Sequence, residues 1–186
     1  MEFFDIYNKY GEKTNEVAER GEAHRKGLCH RVFHLWLINA QKQILLQQRS
    51  ATKDTGANLW YVSVGGHIDH GESIEEAIIR ECREELGIDI SGLKAKIDYL
   101  YTFQEREVKN DGTFIDDEFY DVFALRMDVS IDQIVMQQEE VQAVKYVEYA
   151  DFREAILKND TAYVPHKVGY PMLVVALNNY LECGIH

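Results

Sequence analysis

One short stretch, residues 73–88, constrains this chain more than any other, because it fixes both ends of a helix and then loads its last turns with carboxylates. Ser73 and Glu76 match an S-x-x-E capping box, and Gly87 is the residue type that ends helices in the left-handed conformation. At about 100° per residue, placing Glu81 at zero puts Glu84 near −60° and Glu85 near +40°. The three carboxylates share one side with Ile74, Ala77 and Ile78, which lie one or two turns earlier. The stripe that faces the protein therefore begins apolar and ends acidic.

Such a stripe is unfavourable alone. Glu81 with Glu85 and Glu81 with Glu84 are like-charge pairs at i,i+4 and i,i+3, each costing a few tenths of a kcal/mol. All three also crowd the negative end of the helix dipole. Arg80 reaches Glu84 at i+4, but one arginine does not neutralise three carboxylates. A hard divalent cation such as Mg²⁺ does, and it keeps waters that a substrate can exchange. A plain solvated acidic face is the competing reading, and the shared apolar side argues against it.

The rest of the chain supplies the frame. The patterning predicts strands over 30–39, 43–49, 60–64, 95–103, 118–126 and 143–147, with a turn at 110–114 and further helices at 149–158 and 170–183. This makes an α+β fold, a mixed sheet with helices on its faces, in one domain over 1–186. Within it, residues 1–28 read as an N-terminal extension, about 29–160 as the core and 170–183 as a C-terminal helix. A length of 186 residues and 46% apolar content allow a real core. A net charge of −12 argues against nucleic acid and anionic membranes as partners, yet admits a phosphorylated small molecule if metals bring positive charge. Cys29, Cys82 and Cys183 suggest no disulfide framework. MEFFDIYNKYGEK has no signal-peptide pattern, and no apolar run approaches the ~18 residues of a membrane span. These features imply a cytoplasmic protein and are compatible with a homodimer.

The segment GHIDHGESIEEAIIRECREELGI, 66–88, resembles the Nudix box, G-x5-E-x7-R-E-U-x-E-E-x-G-U, where U is aliphatic. Gly66, Glu72, Arg80, Glu81, Glu84, Glu85, Gly87 and Ile88 match, and Cys82 alone departs, with a small buriable residue at an aliphatic position. Seven fixed residues at roughly 6% background each give a chance match on the order of 10⁻⁹, which excludes coincidence. The resemblance implies an α/β/α sandwich and metal-dependent hydrolysis of a diphosphate linked to a further moiety, nucleoside or otherwise. It implies that Glu81, Glu84 and Glu85 hold Mg²⁺ or Mn²⁺ with the main-chain carbonyl of Gly65. Glu81 either completes that set or deprotonates the attacking water. Arg80 and Glu72 brace the helix, and Gly66 and Gly87 permit the turns at its ends.

HRVFHLWLIN, QILLQQRS, LWYVSVGGH and the pattern Asp116-x-Glu118 are also similar to type I isopentenyl diphosphate isomerase, a Nudix-fold family, over about two thirds of the chain. That similarity implies a further metal at His30, His67, Asp116 and Glu118. It also sets Gly65 where those enzymes carry a catalytic cysteine. Two alternatives to a hydrolase thus stand open, a prenyl diphosphate isomerase and a nucleotide-binding module without catalysis. Among other candidates, His34 reads as a core histidine, and His70, His166 and Lys167 as surface residues. Glu139 and Glu140 stand where the family sometimes supplies another acid. Phe103, Trp60 and Tyr170 are aromatics that suit stacking on a base and packing in the core equally well.

Overall fold

The computed structural model of the chain describes residues 1–182. Its main sheet has the order β5-β4-β3-β8-β7, with β6 also paired to β3 and β9 to β4. These strands are β3 (His30–Ile38), β4 (Gln43–Arg49), β5 (Trp60–Tyr61), β6 (Val64–His67), β7 (Asp98–Lys109), β8 (Phe114–Arg126) and β9 (Val141–Glu148). Before them come a hairpin of β1 (Phe3–Tyr7) and β2 (Lys13–Glu19) and a short helix α1 (Arg20–Lys26). The remaining helices are α2 (Ile74–Leu86), α3 (Tyr149–Leu157) and α4 (Gly169–Glu182).

The period of two along β3 builds both layers. Val32, Trp36 and Ile38 point to one core with Phe152 and Ile156 of α3 and Leu173 and Leu177 of α4. Phe33, Leu35 and Leu37 point to the other, against Ala77, Ile78, Cys82 and Leu86 of α2. Helices thus cover both faces of a mixed sheet, the expected sandwich. Trp36 and Ile78 are fully buried, so truncating Ile78 to alanine costs about 2–5 kcal/mol.

The differences from expectation are local. The strand expected over 60–64 splits into β5 and β6. The one expected from 95 begins at Asp98, because a 3-10 turn, Ser91–Lys96, precedes it. Asn110 and Asp111 both take positive φ in the turn between β7 and β8, as their residue types allow. The last helix starts at Gly169, and position 183, Cys183 included, lies outside the described residues. The extension over 1–28 is itself folded, around Phe4, Ile6, Ala18 and Ala23. It docks on the loop before α2, where the His70 amide donates to the Phe3 carbonyl at 2.7 Å. Among the described residues no helix is long and apolar enough to cross a membrane.

Candidate active site

Helix α2 starts where the sequence predicts. The Ser73 side chain accepts from the Glu76 amide, and Glu76 accepts from the Ser73 amide in return. Gly87 ends the helix at φ 68°, and a Cβ there would sit 2.9 Å from Val135 Cβ, so both backbone and space require glycine. Arg80 anchors this helix to the incoming loop. It donates to both Glu72 oxygens at 2.9 Å and to the His67 carbonyl at 3.2 Å. Its third arm reaches Glu81 at 2.6 Å and Glu84 at 3.4 Å.

The three glutamates differ in environment. Glu84 is half exposed, whereas Glu85 is buried and accepts from Gln47 Nε2 at 3.0 Å. Burial is the main cause that pushes the Glu81 carboxyl up to about 7, with Arg80 opposing and Glu84 adding. Burial next to Glu81 likewise raises Glu85 to about 8. Repulsion and desolvation therefore both mark this corner as one that wants a cation. Gly65 and Gly66 line the cavity beside it.

A second cluster comes from sheet pairing. Parallel pairing sets His30 opposite Glu118, antiparallel pairing sets Val32 opposite His67, and Asp116 lies two residues before Glu118 on the same face. Helix α1 adds His24, which the sequence reading missed. His24, His30, His67 and Glu118 offer ligand atoms within 4.8 Å of one another. Glu118 Oε1 stands 3.2 Å from His30 Nε2 and 3.5 Å from His67 Nε2, and Asp116 Oδ1 stands 3.1 Å from His24 Nδ1. The alignment is too poor for hydrogen bonds, so both His24 nitrogens and the Nε2 atoms of His30 and His67 are buried without a partner.

The rings of this cluster are held firmly. His30 Nδ1–H donates to the Leu28 carbonyl at 2.9 Å, which turns Nε2 toward Glu118. Phe4 stacks on His30 and His67, and Phe114 on His24. Burial pushes His67 down to about 4 and so keeps it neutral. Burial opposes ionisation of Glu118, but His30 and His67 outweigh it and hold its carboxyl well below the usual range. Three imidazoles beside a carboxylate, with orphaned buried nitrogens, are a donor set that suits a divalent metal.

Both clusters open on one cavity of about 650 Å³, also lined by Arg20, Arg49, Lys53 and Lys109. Lys53 pairs with Glu140, which therefore faces the cavity, while Glu139 is exposed. One expectation fails here, and one open alternative is decided for core packing. His166, expected on the surface, is buried and bonded to Glu105 at 2.9 Å. Trp60, Phe103 and Tyr170 do not line this cavity; Trp60 packs under Lys145, and the other two fill the core. Phe33, Tyr61, Phe114 and Tyr120 line it instead.

The chain matches the NUDIX domain over residues 29–167. It belongs to the Nudix family. This Nudix chain is 40% identical over 170 residues to Nudix hydrolase 3 of Arabidopsis thaliana, across 90% of its own length and 22% of that relative's. It is 33% identical over 158 residues to an isopentenyl-diphosphate Delta-isomerase of Salmonella typhi, spanning 84% of this chain and 83% of that one. Its fold is similar to a crystal structure from Deinococcus radiodurans, with a TM-score of 0.70 at 23% identity, covering 94% and 99% of the two chains.

Proposed function

We propose that this Nudix protein is a metal-dependent hydrolase that cleaves a diphosphate linkage in a small molecule, acting in the cytoplasm as a single domain. The observation that carries the reading is the buried glutamate corner, whose raised carboxyls face a cavity that also contains arginines and lysines. Glu81, Glu84 and Glu85 with the Gly65 carbonyl would hold Mg²⁺ or Mn²⁺. Bound there, the ion would neutralise phosphate oxygens and lower the pKa of a water. Glu81 either completes that set or takes the proton from that water. Arg80, tied to Glu72, fixes the angle of the helix, and Gly66 leaves the room that Glu81 occupies. Arg49 donates its Nε to the Thr55 carbonyl at 3.0 Å and has no carboxylate partner among the described residues, so its terminal nitrogens suit a phosphate.

A second reading, isomerisation of a prenyl diphosphate, is favoured by the histidine cluster. His24, His30, His67, Asp116 and Glu118 would hold a further divalent ion, and the same donor set fits a hydrolase that uses two metals. The deciding experiment is a panel of nucleotide sugars, dinucleoside polyphosphates, NADH, CDP, UDP and isopentenyl diphosphate, incubated with Mg²⁺ or Mn²⁺ with product analysis. Release of phosphate or a nucleotide supports the hydrolase. Formation of dimethylallyl diphosphate overturns it, and absence of any turnover favours a binding module.

A further inference from the structure

Lys109 ends β7 and lines the cavity beside the histidine cluster. Its ammonium stands 2.6 Å from Asp116 Oδ2 and 3.1 Å from Glu107 Oε2. Strand register brings them together: Glu107 lies opposite Asp116 and Lys109 opposite Phe114, so these side chains share one face of the β7–β8 hairpin. Asp116 is therefore divided. Its Oδ1 turns to His24 Nδ1 at 3.1 Å and its Oδ2 to Lys109. Burial opposes the charge on Lys109, but Asp116 and then Glu107 outweigh it and hold the ammonium charged.

This pairing conflicts with the donor set beside it. Four buried ring nitrogens of His24, His30 and His67 have no partner, and two of them belong to His24. A lysine and a divalent ion on the same carboxylate repel each other and compete for one negative charge in a place shielded from water. Among the described residues, Arg20 pairs with Glu2 and Lys53 with Glu140, so of these three cavity cations Lys109 alone draws its partner from the cluster. The Lys109 stem is four carbons long and 28% of the side chain stays exposed, which lets the ammonium turn from Asp116 into the cavity on a fixed backbone.

We propose that Lys109 is a built-in counter-ion of the histidine cluster, which neutralises Asp116 while the cluster is metal-free, opposes metal loading, and on loading turns into the cavity to hold a phosphate oxygen. The inference rests on the reading of His24, His30, His67, Asp116 and Glu118 as a metal site, and it does not depend on hydrolysis. A lysine suits the exchange, being a compact point charge with rotatable donors that trades one anionic oxygen for another. Glu107 keeps the ammonium paired between the two positions, so no buried charge is left alone.

The test titrates the intact metal-free protein with Co²⁺ and follows the visible bands of imidazole-bound cobalt. Lys109→Met should bind roughly 10-fold tighter than wild type, and the gain should vanish when His67→Ala is added. A lysine that only staples the hairpin predicts the opposite sign, since its loss loosens β7 against β8 and weakens the cluster. Equal or weaker Co²⁺ binding in a folded Lys109→Met therefore overturns the proposal and leaves the cluster standing. Absence of imidazole bands from wild type and Lys109→Met alike rejects the metal site and the role of Lys109 together. Nitrogen NMR of the lysine ammonium groups gives a second route that does not need Lys109→Met to fold, with the Lys109 signal identified by its loss in Lys109→Arg. That signal should move when Zn²⁺ is added. It should move again when sulfate, standing in for a phosphate, is added to the Zn²⁺-loaded protein, but not when sulfate is added without metal. A signal unmoved by bound Zn²⁺ overturns the exchange. One unmoved by sulfate, or moved equally without metal, overturns the coupling to phosphate.

Discussion

Glu81 occupies the space that a side chain at Gly66 would fill. A Cβ built on Gly66 lies 2.6 Å from Glu81 Oε1 and 2.8 Å from its Cγ, too close for either to stay. The constraint is space alone, since Gly66 is not among the positive-φ residues. Gly66→Ala should therefore displace Glu81 and lower kcat by at least roughly 10-fold, about 1.4 kcal/mol of barrier. The fold should survive, as checked by circular dichroism. An alanine variant with wild-type turnover would show that the position of Glu81 is not critical.

Glu85 and Glu84 separate stability from activity. Glu84→Gln and Glu85→Gln should each reduce kcat by at least about 10²-fold, or about 2.7 kcal/mol. In EDTA at alkaline pH, Glu85→Gln should raise Tm, because it removes a charge disfavoured first by burial and then by Glu81. Glu84→Gln should change Tm little, since Glu84 is half exposed. Thermal scans beside steady-state kinetics check both halves.

The glutamate corner also sets a pH dependence. Both folded-state carboxyls lie above their ordinary value of 4.5, at about 7 for Glu81 and about 8 for Glu85. The folded state therefore holds protons that the unfolded state releases. This stabilising contribution is complete below pH 4.5 and is lost as pH rises through 7 to 8. Metal-free protein should lose Tm across that window, and saturating Mg²⁺ should flatten the loss while releasing protons near neutrality. A metal-free Tm that climbs from pH 5 to 8 would contradict the assignment of buried glutamates as the dominant titrating groups.

The histidine cluster should bind a softer ion than the glutamates do. His67→Ala or Glu118→Gln should weaken binding of softer ions such as Zn²⁺ and Co²⁺ by at least about 10-fold, read by elemental analysis after dialysis. Glu118→Gln should reduce kcat less than Glu84→Gln. Equal retention of these ions by wild type and His67→Ala would exclude the cluster as a metal site.

How legible this site was in the sequence depended on how local each signal is. The helix with Ser73, Glu81, Glu84, Glu85 and Gly87 is written in consecutive residues, because capping and the 3.6-residue period act within a few turns. His30, His67 and Glu118 were named through a family resemblance, and strand pairing brings them together. His24 escaped because it lies on a seven-residue helix in a segment read as an extension, where no spacing rule ties it to β8. His166 and Glu105 escaped for the same reason, being 61 residues apart and joined only by the fold. The N-terminal hairpin was missed because its alternation is weak: β2 reads KTNEVAE, with Ala18 alone buried.

Gly65 separates hydrolysis from isomerisation. Moving a double bond in a prenyl diphosphate needs a proton donor and a proton acceptor flanking the hydrocarbon, and the isomerases that this chain resembles use a thiol at this position. Gly65 has no side chain, and its place is tight: a Cβ would lie 3.0 Å from Val62 Cγ1 and 3.3 Å from His34 Cδ2. Among the described residues, the thiols of Cys29 and Cys82 do not substitute. Burial pushes Cys29 up to about 12 and raises Cys82 further, and Cys82 sits in the α2 core, away from the cavity. Incubation with isopentenyl diphosphate and Mg²⁺ or Mn²⁺, followed by NMR, should therefore show no dimethylallyl diphosphate. Gly65→Cys should not confer the activity either, because its side chain would have to displace Val62 or His34. Sustained appearance of the allylic product from the wild type would overturn the hydrolase and require another acid at the cavity wall, whereas its appearance only in Gly65→Cys would show that the wall can yield.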